Sequence, residues 1–140
     1  MNELRLNNGE GRESTASGAP LVSIVDDDDS VRRSTRRLLR CSGLRAEAFA
    51  SAGDFLQSSL LGETHCLVLD MRMPGMDGLE LQRRLGEAGR RIPIIFLSAR
   101  ASEEEERRAW QAGASSFLRK PVNKEVLLNA IRTALEGKIN

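Results

Sequence analysis

Five polar side chains stand at the ends of short apolar segments of this 140-residue chain, where they could take part in chemistry. Asp26 and Asp27 follow the first segment and Asp70 a later one, while Ser98 and Lys120 end two more. A carboxylate can act as a nucleophile in phosphoryl transfer and gives an acyl phosphate. Three carboxylates about 4 Å apart repel one another by ~4 kcal/mol per pair at a dielectric constant of roughly 20. Such a cluster favours a divalent cation, and Mg²⁺ suits carboxylate, water and phosphate oxygens.

Apolar runs that alternate with helical patterns predict the elements that would position these side chains. Strands are expected at residues 21–25, 46–50, 66–69, 93–97 and 117–118. Helices are expected at about 29–41, 52–61, 78–87, 102–112 and 123–136. Five such alternations predict a single α/β domain with a doubly wound parallel sheet. Because right-handed crossovers place the carboxyl ends of the strands at one edge, the five polar residues should meet there.

Two of the predicted helices carry features that bear on function. The fourth has the capping-box spacing Ser102–Glu105 but no apolar residue in its first half. Ala109, Trp110 and Ala112 are therefore expected to anchor it, and we predict a helix of low stability. The fifth is expected to bury an apolar face that begins at Val126 and to end before a glycine at position 137.

Composition excludes several classes of function. The 21 Lys and Arg residues nearly balance the 20 Asp and Glu residues, which argues against direct nucleic-acid binding. No apolar run approaches the ~20 residues that span a bilayer, so no membrane segment is expected. Residues 1–19 are polar and are expected to form a disordered or flexible arm, before a domain at 20–137 and a tail at 138–140. Cys41 and Cys66 form no CxxC motif and are expected to be small buried residues of a cytoplasmic protein.

Four motifs, in their order and spacing, resemble the receiver domains of two-component response regulators. They are Val25-Asp26-Asp27, Leu69-Asp70 followed by the loop Met-Pro-Gly-Met-Asp-Gly at 73–78, Ser98-Ala99 and Lys120-Pro121. The resemblance covers about residues 21–135, and the loop together with Arg72 looks most like the receivers of the nitrogen-fixation regulators. It implies a (βα)5 domain of flavodoxin-like topology with the strand order 2-1-3-4-5.

The resemblance also implies a phosphorylation site and its metal. Asp70 would accept a phosphoryl group from a phosphohistidine or from a small phosphodonor. Asp27, Asp70 and the backbone carbonyl of Arg72 would bind Mg²⁺ directly, and Asp26 would bind it mainly through water. Asp28 and its neighbour Asp29 are instead expected to serve the amino terminus of the first helix.

Three further residues would serve the transferred group and the switch. Lys120, presented by a cis peptide bond to Pro121, would neutralise charge on a phosphoryl oxygen. Ser98, where many relatives have threonine, would bind another phosphoryl oxygen. Phe117 would turn inward when Ser98 moves, so that the face made by helix 4, strand 5 and helix 5 changes for partner binding. Arg72 and Arg100, each two residues beyond a site residue, are expected to slow loss of the phosphoryl group.

The partners follow from the same resemblance. A histidine kinase or histidine phosphotransfer protein would supply the phosphoryl group, and the first helix would dock it through arginines at 32, 33, 36, 37 and 40, although a plain solvated face is the alternative. The output partner stays open. No output domain follows Asn140, so a stand-alone receiver and a truncated regulator are both compatible with the sequence, as is a homodimer formed on phosphorylation.

The resemblance implies a signalling domain that assists its own phosphorylation and dephosphorylation, and two other functions fit parts of the same pattern. A phosphohydrolase of the haloacid dehalogenase type also uses an Asp nucleophile and Mg²⁺, but it needs an acid two residues later, where this chain has Arg72. An adaptor of the same fold that is not phosphorylated would lack one of the acids or the lysine. This chain keeps all of them.

Overall fold

Strands and helices alternate along residues 19–139, the part of the chain that the computed structural model describes. The strands are β1 Leu21–Val25, β2 Arg45–Phe49, β3 Thr64–Leu69, β4 Ile94–Ser98 and β5 Ser116–Arg119. The α-helices are α1 Asp29–Cys41, α2 Ala52–Gln57, α3 Gly78–Glu87, α4 Glu103–Gln111 and α5 Lys124–Ile139. The predicted arm falls outside the described residues except for residue 19, as does the last residue of the predicted tail. Within residues 19–139, no helix has the length and apolar character needed to cross a membrane.

The five strands form one parallel sheet in the order β2-β1-β3-β4-β5, so the predicted fold is confirmed. The carboxyl ends of the central strands are aligned: Val25 of β1 lies opposite Leu69 of β3. Backbone pairing continues past the strand ends, because the Asp70 amide donates to the Val25 carbonyl at 2.9 Å. The Lys120 amide likewise donates to the Ser98 carbonyl at 2.9 Å. The fold therefore brings the ends of four strands to one edge.

Apolar side chains cover both faces of the sheet. β1 and β4 are buried along their whole length, as their nearly continuous apolar sequences predict. Alternate residues of the strands enter two clusters, for example Ile24 on the face covered by α1 and α5 and Val25 on the face covered by α2, α3 and α4. This double covering makes the carboxyl edge a rigid platform from which the site residues project.

Three details of the helices differ from the sequence predictions. α2 ends at Gln57 because Ser58 is extended and its hydroxyl accepts from the Leu60 amide, which starts a 3-10 helix at Ser59–Glu63. α5 was expected to end before Gly137 but continues through it. A glycine ends a helix mainly where it adopts a positive φ, as Gly43 does after α1 with a φ of 88°. Val126 is 48% exposed rather than part of the buried face of α5.

The two cysteines differ in exposure, and the single histidine contacts the backbone of a neighbouring strand. Cys66 is buried in β3, and burial raises the pKa of its thiol to about 12. Cys41 is exposed, so the prediction that it is buried is wrong. It is the last residue of α1 and lies two residues beyond the buried Leu39. The Leu21 amide donates to Nδ1 of His65 at 3.1 Å, so this side chain joins the starts of β1 and β3.

Helix α4 has even less apolar anchoring than its sequence predicts. Of its residues only Ala109 is buried; Trp110 is 47% exposed and Ala112, just after the helix, is exposed, so two of the three predicted anchors are wrong. Nε2 of the buried Gln82 donates to the Ala109 carbonyl at 3.1 Å, and this polar contact ties α4 to α3. A helix with one buried side chain gains little free energy from docking.

We therefore expect the amide hydrogens of α4 to exchange faster than those of β1, β3 and β4, by about tenfold or more. Native-state hydrogen exchange followed by NMR checks this prediction residue by residue. Helix α3, which buries Leu81 and Leu85, serves as the internal control. Exchange in α4 as slow as in the central strands would contradict the prediction.

Candidate functional site

Three carboxylates meet at the carboxyl edge of the sheet. Asp26, Asp27 and Asp70 each place one carboxylate oxygen within 4.8 Å of an oxygen of the other two. Asp26 and Asp70 are buried, whereas Asp27 is exposed at the rim. The Asp26 amide donates to the Phe49 carbonyl at 3.2 Å, so the backbone of the first acid is fixed by β2. The structure therefore brings together the three acids that the sequence predicted to meet.

Lys120 is the cation of this cluster. Its Nζ lies 2.8 Å from Oδ2 of Asp26 and 3.7 Å from Oδ1 of Asp70. The peptide bond between Lys120 and Pro121 is cis, as the family resemblance implies. One ammonium group next to two buried carboxylates leaves the cluster with excess negative charge.

The charge crowding changes the protonation of Asp70. Burial and, after it, the neighbouring carboxylate of Asp26 raise the pKa of Asp70 to about 6. Lys120 and the backbone amide of Arg72 act in the opposite direction but do not cancel the effect. At neutral pH the Asp70 carboxylate is ionised although burial disfavours its charge. A cation that binds beside it offsets this cost, so cation binding is favourable. The donor set, all carboxylate oxygen, fits a hard divalent ion such as Mg²⁺.

The run of four aspartates is in the predicted register. Asp26 faces the cluster, and its Oδ1 accepts from the Asp28 amide at 2.9 Å. Asp28 is the N-cap of α1, because its carboxylate accepts from the Val31 amide at 3.0 Å. Asp29 lies in the first turn of the helix, where a negative charge is favourable near the positive end of the helix dipole. The assignment of Asp28 and Asp29 to the helix terminus is confirmed.

Gly78 supports the loop between β3 and α3, a role that is not predicted from the sequence. Its amide donates to the Met71 carbonyl at 2.9 Å. A Cβ at this position would lie 2.6 Å from the Asp70 carbonyl oxygen and 2.9 Å from the Phe96 ring. One sequence feature could have indicated this role of Gly78. It directly follows Asp77, the N-cap of α3, at a helix start that has to pack closely against the end of the preceding strand.

Ser98 ends β4 and Phe117 lies on the neighbouring strand β5. Ser98 is buried at the end of β4, and its Oγ accepts from the Arg100 amide at 3.3 Å within its own loop. The ring of Phe117 packs 5.7 Å from that of Phe96, and the Arg119 guanidinium lies 5.5 Å from the Phe117 ring centre. Phe117 is only partly buried, which is compatible with a ring that can change position.

Arg72 is engaged elsewhere than at the mouth of the site. Its Nε donates to the Arg100 carbonyl at 3.0 Å, and its Nη2 lies 2.7 Å from Oε1 of Glu105 in α4. The side chain of Arg72 thus contacts the loop that precedes α4, and Arg100 contributes only its backbone carbonyl to this contact. The prediction of slow phosphoryl loss finds no support in the side-chain position of Arg72.

Comparison with known proteins now decides the family. The response regulator receiver domain family matches residues 22–132 of the chain. The chain belongs to this family. Receiver domains are signalling domains of two-component systems that bind Mg²⁺ in an acidic pocket, and in this chain Asp26, Asp27 and Asp70 form an acidic cluster.

Several relatives and solved structures agree with this assignment. The receiver is 44% identical to the response regulator protein TmoT of Ectopseudomonas mendocina over 90% of this chain and 57% of that protein. It is 36% identical to the transcriptional regulatory protein FixJ of Azorhizobium caulinodans over 81% of this chain and 54% of that protein. The structure of the response regulator StyR superimposes with a TM-score of 0.80 at 46% identity, covering 87% of this chain and 62% of the other. That of FixJ-N superimposes with a TM-score of 0.77 at 34% identity, covering 86% and 96%.

The chain thus spans little more than half the length of the curated relatives that it matches. Both FixJ comparisons agree with the family resemblance, but the chain is more similar to TmoT, at 44% identity against 36% for FixJ, so FixJ is not the receiver that it resembles most.

The electrostatic strain at Asp70 gives a prediction about stability. In buffer with EDTA at pH 7–8, Asp70→Asn should raise the free energy of unfolding by about 1–2 kcal/mol, because it removes a buried charge from a crowded cluster. The pKa of Asp70 is about 6 in the folded protein against 3.8 in the unfolded chain, so the ionised carboxylate costs stability above pH 6. As the pH falls from 6 towards 4, the folded wild type binds the proton first and the advantage of the variant should shrink.

Urea denaturation followed by circular dichroism, from pH 4 to pH 8, measures this difference. Asp54→Asn, at an exposed carboxylate of α2, is the matched control and should change stability little at any pH. An Asp70→Asn variant that is less stable than the wild type at pH 8, or an advantage that does not depend on pH, would contradict the electrostatic argument.

Proposed function

We propose that this receiver accepts a phosphoryl group on Asp70 from the phosphohistidine of a histidine kinase or histidine phosphotransfer protein. The observation that carries the proposal is the buried Asp70 carboxylate, 3.7 Å from the Lys120 ammonium and clustered with two other acids. A carboxylate oxygen would attack phosphorus while the bond from phosphorus to the imidazole nitrogen breaks and the histidine leaves. The product is an aspartyl phosphate.

The residues present fit a bound Mg²⁺. Asp27, Asp70 and the backbone carbonyl of Arg72 would hold it directly. Oδ2 of Asp26 is already 2.8 Å from Lys120, which favours a contact of Asp26 with the ion through water. The ion would supply positive charge to phosphoryl oxygens as they approach three carboxylates.

Three other side chains would complete the site. The Nζ of Lys120 already lies beside Asp26 and Asp70, so the lysine side chain would need only a small movement to bind a phosphoryl oxygen. Ser98 would donate its hydroxyl hydrogen to a second phosphoryl oxygen. The partly buried Phe117 would follow Ser98 inward, which would alter the face formed by α4, β5 and α5. The same groups would assist hydrolysis of the phosphoryl group.

The proposed docking surface for the phosphodonor is the outer face of α1. Arg32 donates to the Asp26 carbonyl at 2.8 Å and is thus fixed beside the site. Arg33 and Arg40 form exposed ion pairs with Asp29 and Glu47. Within the described residues, the arginines at 36 and 37 have no carboxylate partner and would be available to an acidic partner surface.

The remaining proposals concern the extent and assembly of the protein. We keep 20–137 as the receiver domain, flanked by the arm and the tail predicted from sequence. The output partner or domain would respond to the α4-β5-α5 face, and a phosphorylation-dependent homodimer is one form of that response. Neither alternative function gains support. Arg72 occupies the position that a dehalogenase-type acid would need, and an adaptor would not need the complete acidic cluster with its lysine.

Intact mass spectrometry tests the proposed function. We expect incubation with Mg²⁺ and acetyl phosphate or phosphoramidate to add about 80 Da, the mass of one phosphoryl group, to the wild type. EDTA should prevent the gain, because three carboxylates repel an incoming phosphate without a cation. Asp70→Asn should also prevent it, whereas the control Asp54→Asn should not. No mass gain with either phosphodonor would contradict the proposal and favour an adaptor.

A further inference from the structure

Arg72 links the loop that carries the acidic site to the loop that precedes α4. Its Nε donates to the Arg100 carbonyl at 3.0 Å, and its Nη2 lies 2.7 Å from Oε1 of Glu105. The same Glu105 oxygen accepts from the Ser102 amide at 2.9 Å and closes the capping box of α4. One guanidinium group therefore contacts both the loop backbone and the side chain that caps the helix.

Arg119 makes the corresponding contacts from the other side of β4. Its Nη1 donates to the Ala101 carbonyl at 3.0 Å, and its Nη2 lies 2.6 Å from Oε1 of Glu106. The other oxygen of Glu106 is 3.4 Å from Nε1 of Trp110. Two arginines, one from each neighbouring strand end, thus bind successive carbonyl groups and successive glutamates of one short segment.

This double clamp matters because α4 has so little else to hold it. Only Ala109 of the helix is buried, so its position depends on polar contacts. A single exposed ion pair contributes little, but each arginine here also binds a backbone carbonyl, which fixes its geometry. Both clamps begin beside the acidic site, since Arg72 is two residues beyond Asp70 and Arg119 directly precedes Lys120.

We infer that Arg72 is a positioning residue that couples the acidic site to helix α4 through Glu105. The inference rests on the proposed function, and it adds a connection separate from Ser98 and Phe117. When Asp70 is phosphorylated and the Arg72 peptide adjusts to the new charges, its guanidinium moves relative to Arg100 and Glu105. The Arg119 clamp keeps the first turn of α4 in place, so the change is a shift of the helix rather than its unfolding.

Trp110 provides a reporter for this coupling. It is the only tryptophan of the chain and lies on α4, partly exposed, in contact with Glu106. Its fluorescence therefore responds to the environment of α4 rather than directly to the acidic site. A change in fluorescence on phosphorylation means that the helix has responded.

The experiment compares Glu105→Gln with Glu104→Gln. Glutamine keeps an acceptor for the capping box but weakens the contact with Arg72, because the charge is lost. Glu104 is the adjacent glutamate of the same helix and pairs with Arg107 within α4, so its variant has the same charge change without the link to the site. Trp110 fluorescence and intact mass are recorded on the same samples after addition of Mg²⁺ and acetyl phosphate.

We expect all three proteins to gain the phosphoryl mass, and Glu105→Gln to lose about half or more of the fluorescence change seen in the wild type and in Glu104→Gln. Arg72→Gln should lower the fluorescence change as well, and adding Glu105→Gln to it should have little further effect. An undiminished fluorescence change in phosphorylated Glu105→Gln, or phosphorylated wild type with no fluorescence change, would overturn the inference alone. A wild type that gains no mass would overturn the proposed function and the inference with it.

Discussion

Gly78→Ala is expected to lower the free energy of unfolding by about 2–3 kcal/mol, a large effect for one methyl group. The added Cβ would lie 2.6 Å from the Asp70 carbonyl oxygen and 3.0 Å from Cα of Met71. Both of these are backbone atoms, so no side-chain rotation can relieve the overlap. The loop after β3 or the start of α3 must move, and either movement displaces Asp70.

Gly86→Ala is the matched control, because Gly86 belongs to the same helix and a Cβ there would meet nothing within 4 Å. Alanine is the better helix former, so this variant should be as stable as the wild type or more stable by about 0.5 kcal/mol. Urea denaturation of both variants measures the difference. Equal stability of the two would mean that the close approach between Gly78 and Asp70 does not exist in solution.

Lys120→Ala is expected to lower the free energy of unfolding by about 2–4 kcal/mol in metal-free buffer at pH 7–8. The side chains of Asp26 and Asp70 are only 4% and 7% exposed, and the lysine is the cation in contact with both. Its removal leaves two buried carboxylates close together without a compensating charge. The loss should shrink as the pH falls towards about 6, because Lys120 lowers the pKa of Asp70 and the carboxyl group of the variant therefore takes up a proton at a higher pH than that of the wild type.

Lys124→Ala provides the comparison, since Lys124 is an exposed lysine at the start of α5. It should change stability by less than about 0.5 kcal/mol. Mg²⁺ should restore part of the stability of Lys120→Ala by supplying charge at the same cluster, but should have little effect on the difference between Lys124→Ala and the wild type. If Lys120→Ala is as stable as Lys124→Ala in EDTA, the charge cluster is not what the structure indicates.

The position of the site residues could be predicted from sequence because each directly follows the apolar segment of a strand. In a parallel sheet that pattern is enough: the ends of β1, β3 and β4 align, and Asp26, Asp70 and Ser98 follow with them. Helix termini were also predictable where a side chain caps its own helix, as Asp77 and Ser102 do. These are local rules, and they need no knowledge of the partner element.

Features that depend on a distant partner could not be predicted in the same way. The contact of Arg72 with Glu105 joins residues 33 positions apart, and a long flexible side chain gives no sequence signal of its direction. The exposure of Trp110 was missed because a large aromatic residue is expected to be buried, whereas Gln82 makes the contact with α4. The role of Gly78 depends on how closely α3 approaches the Asp70 carbonyl, which is a property of packing.

The identity of the phosphorylated residue is the most direct test of the account. After reaction with Mg²⁺ and acetyl phosphate, borohydride reduces an aspartyl phosphate to homoserine, and trypsin releases residues 46–72 as one peptide. Fragmentation of that peptide should place homoserine at position 70 and leave Asp54 unchanged. Homoserine at Asp54, or in the separate peptide that carries Asp26 and Asp27, would contradict the assignment of Asp70 as the phosphoacceptor.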